Sequence, residues 1–446
     1  MKKADVLVIG GSAAGPVAGI SCHRRYGDKS VILVRKEEQV LIPCGIPYVF
    51  GTVGSPERNL IPDALIQNNG IELVKGEAVE IDRGKKAVSL SNGDTVSYDK
   101  LVLATGSSPL VLPIPGIEKE KVFIVRKDVA YLKNMLDVLN DAKDVVIIGG
   151  GFIGVEFADE CKKGRDCNVT IVELLPHCLQ LALDEEFCIE AEKVLSDRGI
   201  ELLVNSKVEA ILGDNQVSGV RLSGGQELKA DMVVVGVGVV PNNELAKKAG
   251  LEIGPGKAIA VDRYMRTTAD PDVFACGDCA EKVSFFSGKP SRLMLASIAC
   301  AEAHIAGANL FHTHYKNPGA VGVFSTIIGE RAFACAGLTE RAARQEGYDV
   351  VLSESTAPDT HPGGMPGSVS TKVKLLFSKD NGELLGGGIS GGKSTGEIAN
   401  VISACIQSKM TAYDVSLFQM GTHPALTASP IVYQLVNAAE LAIKAI

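Results

Sequence analysis

Two stretches of the chain repeat one pattern. Val6-Leu7-Val8-Ile9 and Val145-Val146-Ile147-Ile148 are unbroken apolar runs, and each enters a glycine-rich turn that opens a mainly apolar helical segment. Such runs predict strands buried on both faces of a parallel sheet, with the helix as the crossover. The stretches 30–34, 100–103, 168–172, 233–235 and 273–275 carry the same signature and predict neighbouring strands. Residues 108–116 concentrate proline and read as a linker. Residues 293–310 predict an apolar helix, and from about Thr326 alternating strands lead to an amphipathic helix near 394–409.

The turns read Gly10-Gly11-Ser12-Ala13-Ala14-Gly15 and Gly149-Gly150-Gly151-Phe152-Ile153-Gly154, 139 positions apart. A strand ending in such a turn lets the backbone approach a pyrophosphate, whose charge then rests on the N-terminus of the following helix. Two of these units in one chain predict two dinucleotide sites. The fold class expected is α/β, with two Rossmann-like nucleotide-binding domains and a C-terminal α+β domain. The boundaries expected are 1–114 with 245–325, then 115–244, then 326–446. With 446 residues, 46% of them hydrophobic, the chain can fill about three cores.

A formal charge of −8 without a basic block argues against nucleic acid or an anionic membrane as the main partner. No apolar stretch is long enough to span a bilayer. Lys2-Lys3 precedes an apolar run, but the Gly10–Gly15 turn accounts for that run better than a signal peptide does. Eleven cysteines without a paired framework fit a reducing cytoplasm. No metal site is expected.

Cys44 stands apart, in Pro43-Cys44-Gly45-Ile46-Pro47-Tyr48, and the next cysteine is Cys161. Only the thiolate is a good nucleophile at neutral pH. The proline that follows suits a helix opening, where a thiolate gains roughly 0.3–1 kcal/mol from the unpaired N–H groups. Glu173 ends the 168–172 strand, 24 positions after Gly149. A carboxylate there takes ribose hydroxyls and repels a 2′-phosphate. At the matching place in the first unit stands Val34-Arg35-Lys36, with no carboxylate until Glu37.

In this order, the paired turns, Ala104-Thr105-Gly106, Val239-Val240-Pro241-Asn242 and Cys276-Gly277-Asp278 resemble the pyridine nucleotide-disulfide oxidoreductases over essentially the whole chain. Cys44-Gly45-Ile46-Pro47-Tyr48 is similar to the single-cysteine branch, which holds coenzyme A-disulfide reductases, NADH-dependent persulfide or polysulfide reductases and NADH oxidases. The resemblance implies FAD on Gly10, Ser12, Ala13, Ala14, Gly15, Ala104, Thr105, Gly106, Gly277 and Asp278, with Asp278 at the ribityl and pyrophosphate region. It implies NADH, in preference to NADPH, on Gly149, Gly151, Phe152, Ile153, Gly154, Glu156, Glu173 and Gly238. Phe152 would be an aromatic gate over the flavin, and Glu156 a carboxylate near the nicotinamide. It further implies a homodimer, and a mixed disulfide, persulfide or sulfenic acid on Cys44 during turnover.

Departures from the family pattern narrow the expectation. Oxidase relatives carry a histidine where this chain has Ala13, and Pro47 is similar to the disulfide and persulfide reductases, so sulfur chemistry is favoured over oxygen. Arg24 and Lys75 fall where relatives bind the phosphates of coenzyme A, which makes coenzyme A a candidate bound thiol; plain solvated positions are the competing reading. Gly364-Met365 and Leu426 replace tyrosines that assist the departing thiol in relatives. His423 then stands as the acid, with His361 second, against the alternative of an interface histidine. The activity implied is NADH-driven reduction of coenzyme A disulfide, coenzyme A persulfide or polysulfide. An NADH oxidase and a flavin redox sensor without turnover are the alternatives.

Overall fold

The computed structural model describes residues Lys2–Ile446. Strands of valine, leucine and isoleucine have no polar face to offer water, so they assemble side by side and are covered from both sides. The first compact unit comprises Met1–Val111, Val125–Asp137 and Gly238–Ala320. The parallel part of its eight-stranded sheet runs Glu72–Lys75, Val31–Arg35, Lys2–Ile9, Thr95–Leu103, Asp270–Ala275. Helices Ala14–Arg25 and Ala296–Asn309 pack against each other in this unit.

The second compact unit comprises Leu112–Ile124, Val138–Val237 and Val321–Ile446. It repeats the plan with five parallel strands in the order Val122–Ile124, Met232–Val235, Asp144–Ile148, Asn168–Val172, Ile200–Leu203. Its C-terminal part is an antiparallel sheet in the order Val323–Ile328, Arg331–Gly337, Leu384–Gly391, Ser370–Ser378, Val350–Pro358. Helices Thr395–Gln407 and Gln434–Ile443 lie against that sheet. The α/β class, the paired nucleotide-binding sheets and the α+β tail are as the sequence implies.

The duplication holds in register. Ile9 pairs with Val34, and Ile148 with Val172. The Gly10 N–H donates to the Val34 carbonyl at 2.9 Å, and the Gly149 N–H to the Val172 carbonyl at 2.9 Å. Arg35 in the first unit therefore stands where Glu173 stands in the second.

Two local expectations are corrected. The first two residues of the proline-rich stretch, Ser108 and Pro109, belong to a strand, Ser107–Pro109, that pairs antiparallel with Val239–Pro241, while the change of unit at Val111/Leu112 falls within the stretch as expected; a two-stranded ribbon tolerates proline because one edge of each strand needs no donor. The helix expected to open at Cys44 is instead two short 3₁₀ turns, Pro43–Gly45 and Pro47–Phe50. An α-helix beginning at Pro43 would need an N–H from Pro47, which has none. Ile46 takes the Pro43 carbonyl instead, at 3.2 Å. The gain expected for a Cys44 thiolate at the opening of a helix does not apply. No helix of the described residues is long and apolar enough to cross a membrane.

Candidate active site

The glycine turns have the geometry of nucleotide cradles. Gly10 has φ +122°, and a Cβ there would lie 2.1 Å from the Ala104 carbonyl oxygen. A Cβ on Gly15 would lie 1.8 Å from the Gly10 oxygen. In the second turn, Gly149 has φ +109°, and a Cβ on Gly154 would lie 1.8 Å from the Gly149 oxygen. Only glycine lets strand and helix approach this closely. A Cβ on Gly151 would meet nothing within 4 Å, so that side of the turn is open to a phosphate; Ser12 takes the same place in the first turn. Neither Ala14–Arg25 nor Phe152–Lys162 has its first N–H groups capped by a side chain of the described residues. These donors suit a pyrophosphate, so the residues present fit FAD in the first unit and NADH in the second.

Around the first cradle, the Thr105 hydroxyl donates to the Asn242 carbonyl at 2.9 Å, and the Asn242 amide donates to the Thr105 carbonyl at 2.8 Å. This exchange ties Ala104-Thr105-Gly106 to the segment after Gly238. Asp278 follows directly, its Oδ2 accepting from the Ser107 hydroxyl at 2.7 Å. Arg35, at the end of its strand, is buried and turned onto Asp63 at 2.6 Å, with further bonds to the carbonyls of Glu37 and Glu38. No ribose-facing carboxylate occupies this strand end.

In the second unit, Glu173 is buried beneath its turn. Its Oε2 accepts from the Gly150 N–H at 2.5 Å and its Oε1 from the Leu175 N–H at 2.7 Å, which leaves each oxygen a further lone pair for ribose hydroxyls. Phe152 stacks on Phe324, with centroids 5.2 Å apart and planes 10° apart. Glu156, one helical turn on, accepts from the Thr326 hydroxyl at 3.0 Å. Burial pushes the Glu156 carboxyl up to about 7, against the smaller opposing effect of that hydrogen bond.

Cys44 is exposed, whereas nine other cysteines are buried and Cys300 is intermediate. Burial pushes the thiols of Cys22, Cys188 and Cys335 up to about 12, and that of Cys276 well above the ordinary range. The Cys300 thiol is raised first by burial and next by Cys44.

The remaining predicted side chains are more dispersed. Arg24 bonds Asn69 at 3.4 Å. Lys75 is engaged by Glu38 at 2.9 Å and Asp63 at 3.8 Å, so a phosphate would compete with two carboxylates for it. His423 and His361 lie in the second unit and meet at Thr427. The His423 N–H donates to the Thr427 hydroxyl at 3.0 Å, and its Nδ1 accepts from the Ala425 N–H at 3.2 Å. His361 Nδ1 donates to the Thr427 carbonyl at 3.0 Å.

The sequence matches the pyridine nucleotide-disulphide oxidoreductase family over residues 4–303 and that family's dimerisation domain over residues 323–431. It is 34% identical over 375 residues to an NAD(P)H sulfur oxidoreductase (CoA-dependent) of Pyrococcus furiosus, covering 82% of this chain and 84% of that one. It is 30% identical over 425 residues to an NADH oxidase of Enterococcus faecalis, covering 92% and 94%. The fold superposes on a NAD-dependent persulfide reductase from A. fulgidus with a TM-score of 0.90 at 30% identity, covering 98% of this chain and 83% of that one. With two fitted cradles and both family domains in sequence, the chain belongs to the pyridine nucleotide-disulphide oxidoreductases and is an FAD-dependent enzyme that oxidises NAD(P)H.

Proposed function

We propose that the enzyme uses NADH to reduce a sulfur–sulfur bond through Cys44, with coenzyme A disulfide, a coenzyme A persulfide or polysulfide as the acceptor. The observation that carries the proposal is the exposure of Cys44 in a chain whose other thiols are buried or half-buried. A thiol must reach its substrate to attack it. The likeness to the P. furiosus and A. fulgidus enzymes supports sulfur as the acceptor. We assign FAD to 1–114 with 245–325, NADH to 115–244, and dimer formation to 326–446, where Leu417, Leu426 and Ile431 are exposed apolar residues.

Bound FAD supplies two-electron transfer from NADH to sulfur. The chain's own residues do the rest. Asp278 anchors the flavin nucleotide, Glu173 receives the NADH ribose, and Phe152 is the aromatic gate. Glu156, neutral below about 7, presents a hydrogen-bonding carboxyl without a full charge beside the nicotinamide. Cys44 attacks the outer sulfur by thiol–disulfide exchange, and the departing thiol takes its proton from the histidine pair. His423 is the donor that the family resemblance favours, with His361 second, its Nδ1 held by the Thr427 carbonyl.

The deciding experiment compares Cys44→Ser with the wild type. The variant should keep FAD and its reduction by NADH while losing turnover with coenzyme A disulfide and polysulfide; retained turnover refutes the proposal. An NADH oxidase is the second reading, favoured by the E. faecalis relative. Ala13 speaks against it.

A further inference from the structure

The Cys276-Gly277-Asp278 turn stands on two buried opposite charges. Lys282 and Glu302 have side chains 2% and 3% exposed, with Nζ and Oε2 3.5 Å apart. Taking such ions out of water costs several kcal/mol each, and an apolar pair of similar volume often gives equal or greater stability. Burial, with a smaller push from the Asp278 charge, holds the Glu302 carboxyl up at about 7 even though the lysine and the Gly277 N–H draw it down. Fold stability is therefore a weak reason for this pair.

The hydrogen bonds point elsewhere. Glu302 Oε2 accepts the Gly277 N–H at 2.9 Å, and Lys282 Nζ donates to the Gly277 carbonyl at 2.6 Å and the Ala280 carbonyl at 3.0 Å. One residue is gripped through both its polar groups. Gly277 has φ +76°, and a Cβ there would lie 3.0 Å from the Ala14 Cβ, on the helix that follows the first glycine turn. The next residue is Asp278, and Asp278 and Lys282 line one cleft with Pro241, Arg292 and Met294.

We infer that Lys282 and Glu302 are positioning residues for the flavin nucleotide: they fix the Gly277 peptide, and through it the aim of Asp278 into the cleft. The inference rests on the assignment of Asp278 to FAD. Ser107 holds the carboxylate itself, while the buried pair holds the backbone that carries it.

The test measures the FAD dissociation constant of apoprotein by recovery of flavin fluorescence quenching, with the melting temperature of each apoprotein recorded beside it. The variants are Asp278→Asn, Glu302→Gln, Glu302→Leu and the double Lys282→Met/Glu302→Leu. The double variant leaves no lone buried charge and should fold. Asp278→Asn should weaken FAD about tenfold or more, and so should Glu302→Leu and the double variant. Glu302→Gln, whose carbonyl still accepts the Gly277 N–H, should recover part of the affinity. A merely structural pair would move the melting temperature without separating Gln from Leu in affinity. If Asp278→Asn weakens FAD and the double variant binds it like the wild type, the positioning role is overturned. If Asp278→Asn itself binds like the wild type, the assignment beneath it fails and the inference falls with it.

Discussion

Glu173→Gln is the most direct test of nucleotide choice. In the wild type the carboxylate receives two backbone N–H groups, from Gly150 at 2.5 Å and Leu175 at 2.7 Å. An amide of the same shape can accept only one of them, and its NH₂ then faces the other donor. The variant loses the charge on its ribose acceptor and one turn contact together. A hydrogen bond to a charged group contributes roughly 1.5–3 kcal/mol, so kcat/KM for NADH should fall about 10- to 150-fold. NADPH should lose less, because the charge opposing its 2′-phosphate is gone as well. Steady-state kinetics with both nucleotides, at saturating polysulfide, give the ratio that matters. If kcat/KM falls equally for both while the melting temperature drops, Glu173 only braces the turn, and the preference for NADH must be sought elsewhere.

Other outcomes follow from the same site. Wild-type protein should consume NADH faster with polysulfide under argon than in air without it; fast water-forming oxygen reduction with no sulfur turnover moves the enzyme to the oxidase reading. Glu156 has its carboxyl raised from 4.5 to about 7 by burial, so its contribution to stability is fully present below about 4.5 and is lost as pH rises through 7. Glu156→Gln should remove that loss, on the order of 3 kcal/mol, and gain in melting temperature over the wild type at pH 8 relative to pH 5; parallel profiles would refute the shift. Iodoacetamide on native protein should label Cys44 first, Cys300 slowly and the buried thiols last, and mass mapping that shows another order overturns the exposure argument. His423→Ala should slow reduction of substrates with high-pKa leaving thiols and spare flavin reduction by NADH, whereas an effect confined to His361→Ala transfers the role to that residue.

What the sequence disclosed is what is local. A run such as Val145–Ile148 and the glycines after it determine strand, turn and helix within about a dozen residues, and the cradle geometry follows from those positions alone. Glu173 was legible because the strand that carries it is the next one in the sheet. Arg35–Asp63 and Lys282–Glu302 were not legible, since each joins side chains from separate elements and an isolated lysine or glutamate in a sequence reads as solvated. The turns at Cys44 misled for a different reason. A single proline favours a helix start, but Pro43 and Pro47 together place the second where the first turn needs a donor.

The duplication shows which parts of a nucleotide site are free to diverge. Gly15 and Gly154 answer to one constraint, the oxygen 1.8 Å from where a Cβ would sit, and that constraint lies inside the fold, so both units keep the glycine. The residue at the strand end answers to what lies above it. There the second unit carries Glu173, with lone pairs left for a ribose, and the first carries Arg35, its guanidinium taken up by Asp63 and two backbone carbonyls. A Cβ on Gly11 would strike the Arg35 side chain at 2.5 Å, just as one on Gly150 would strike Glu173 at 3.0 Å, so the two side chains fill the same place under the same turn. Packing therefore preserves the cradle in both units while the strand-end side chain is free to differ, a carboxylate in the second and a guanidinium in the first. With Arg35 where the second unit has Glu173, the usual spacing rule finds a candidate ribose acceptor in one unit and none in the other.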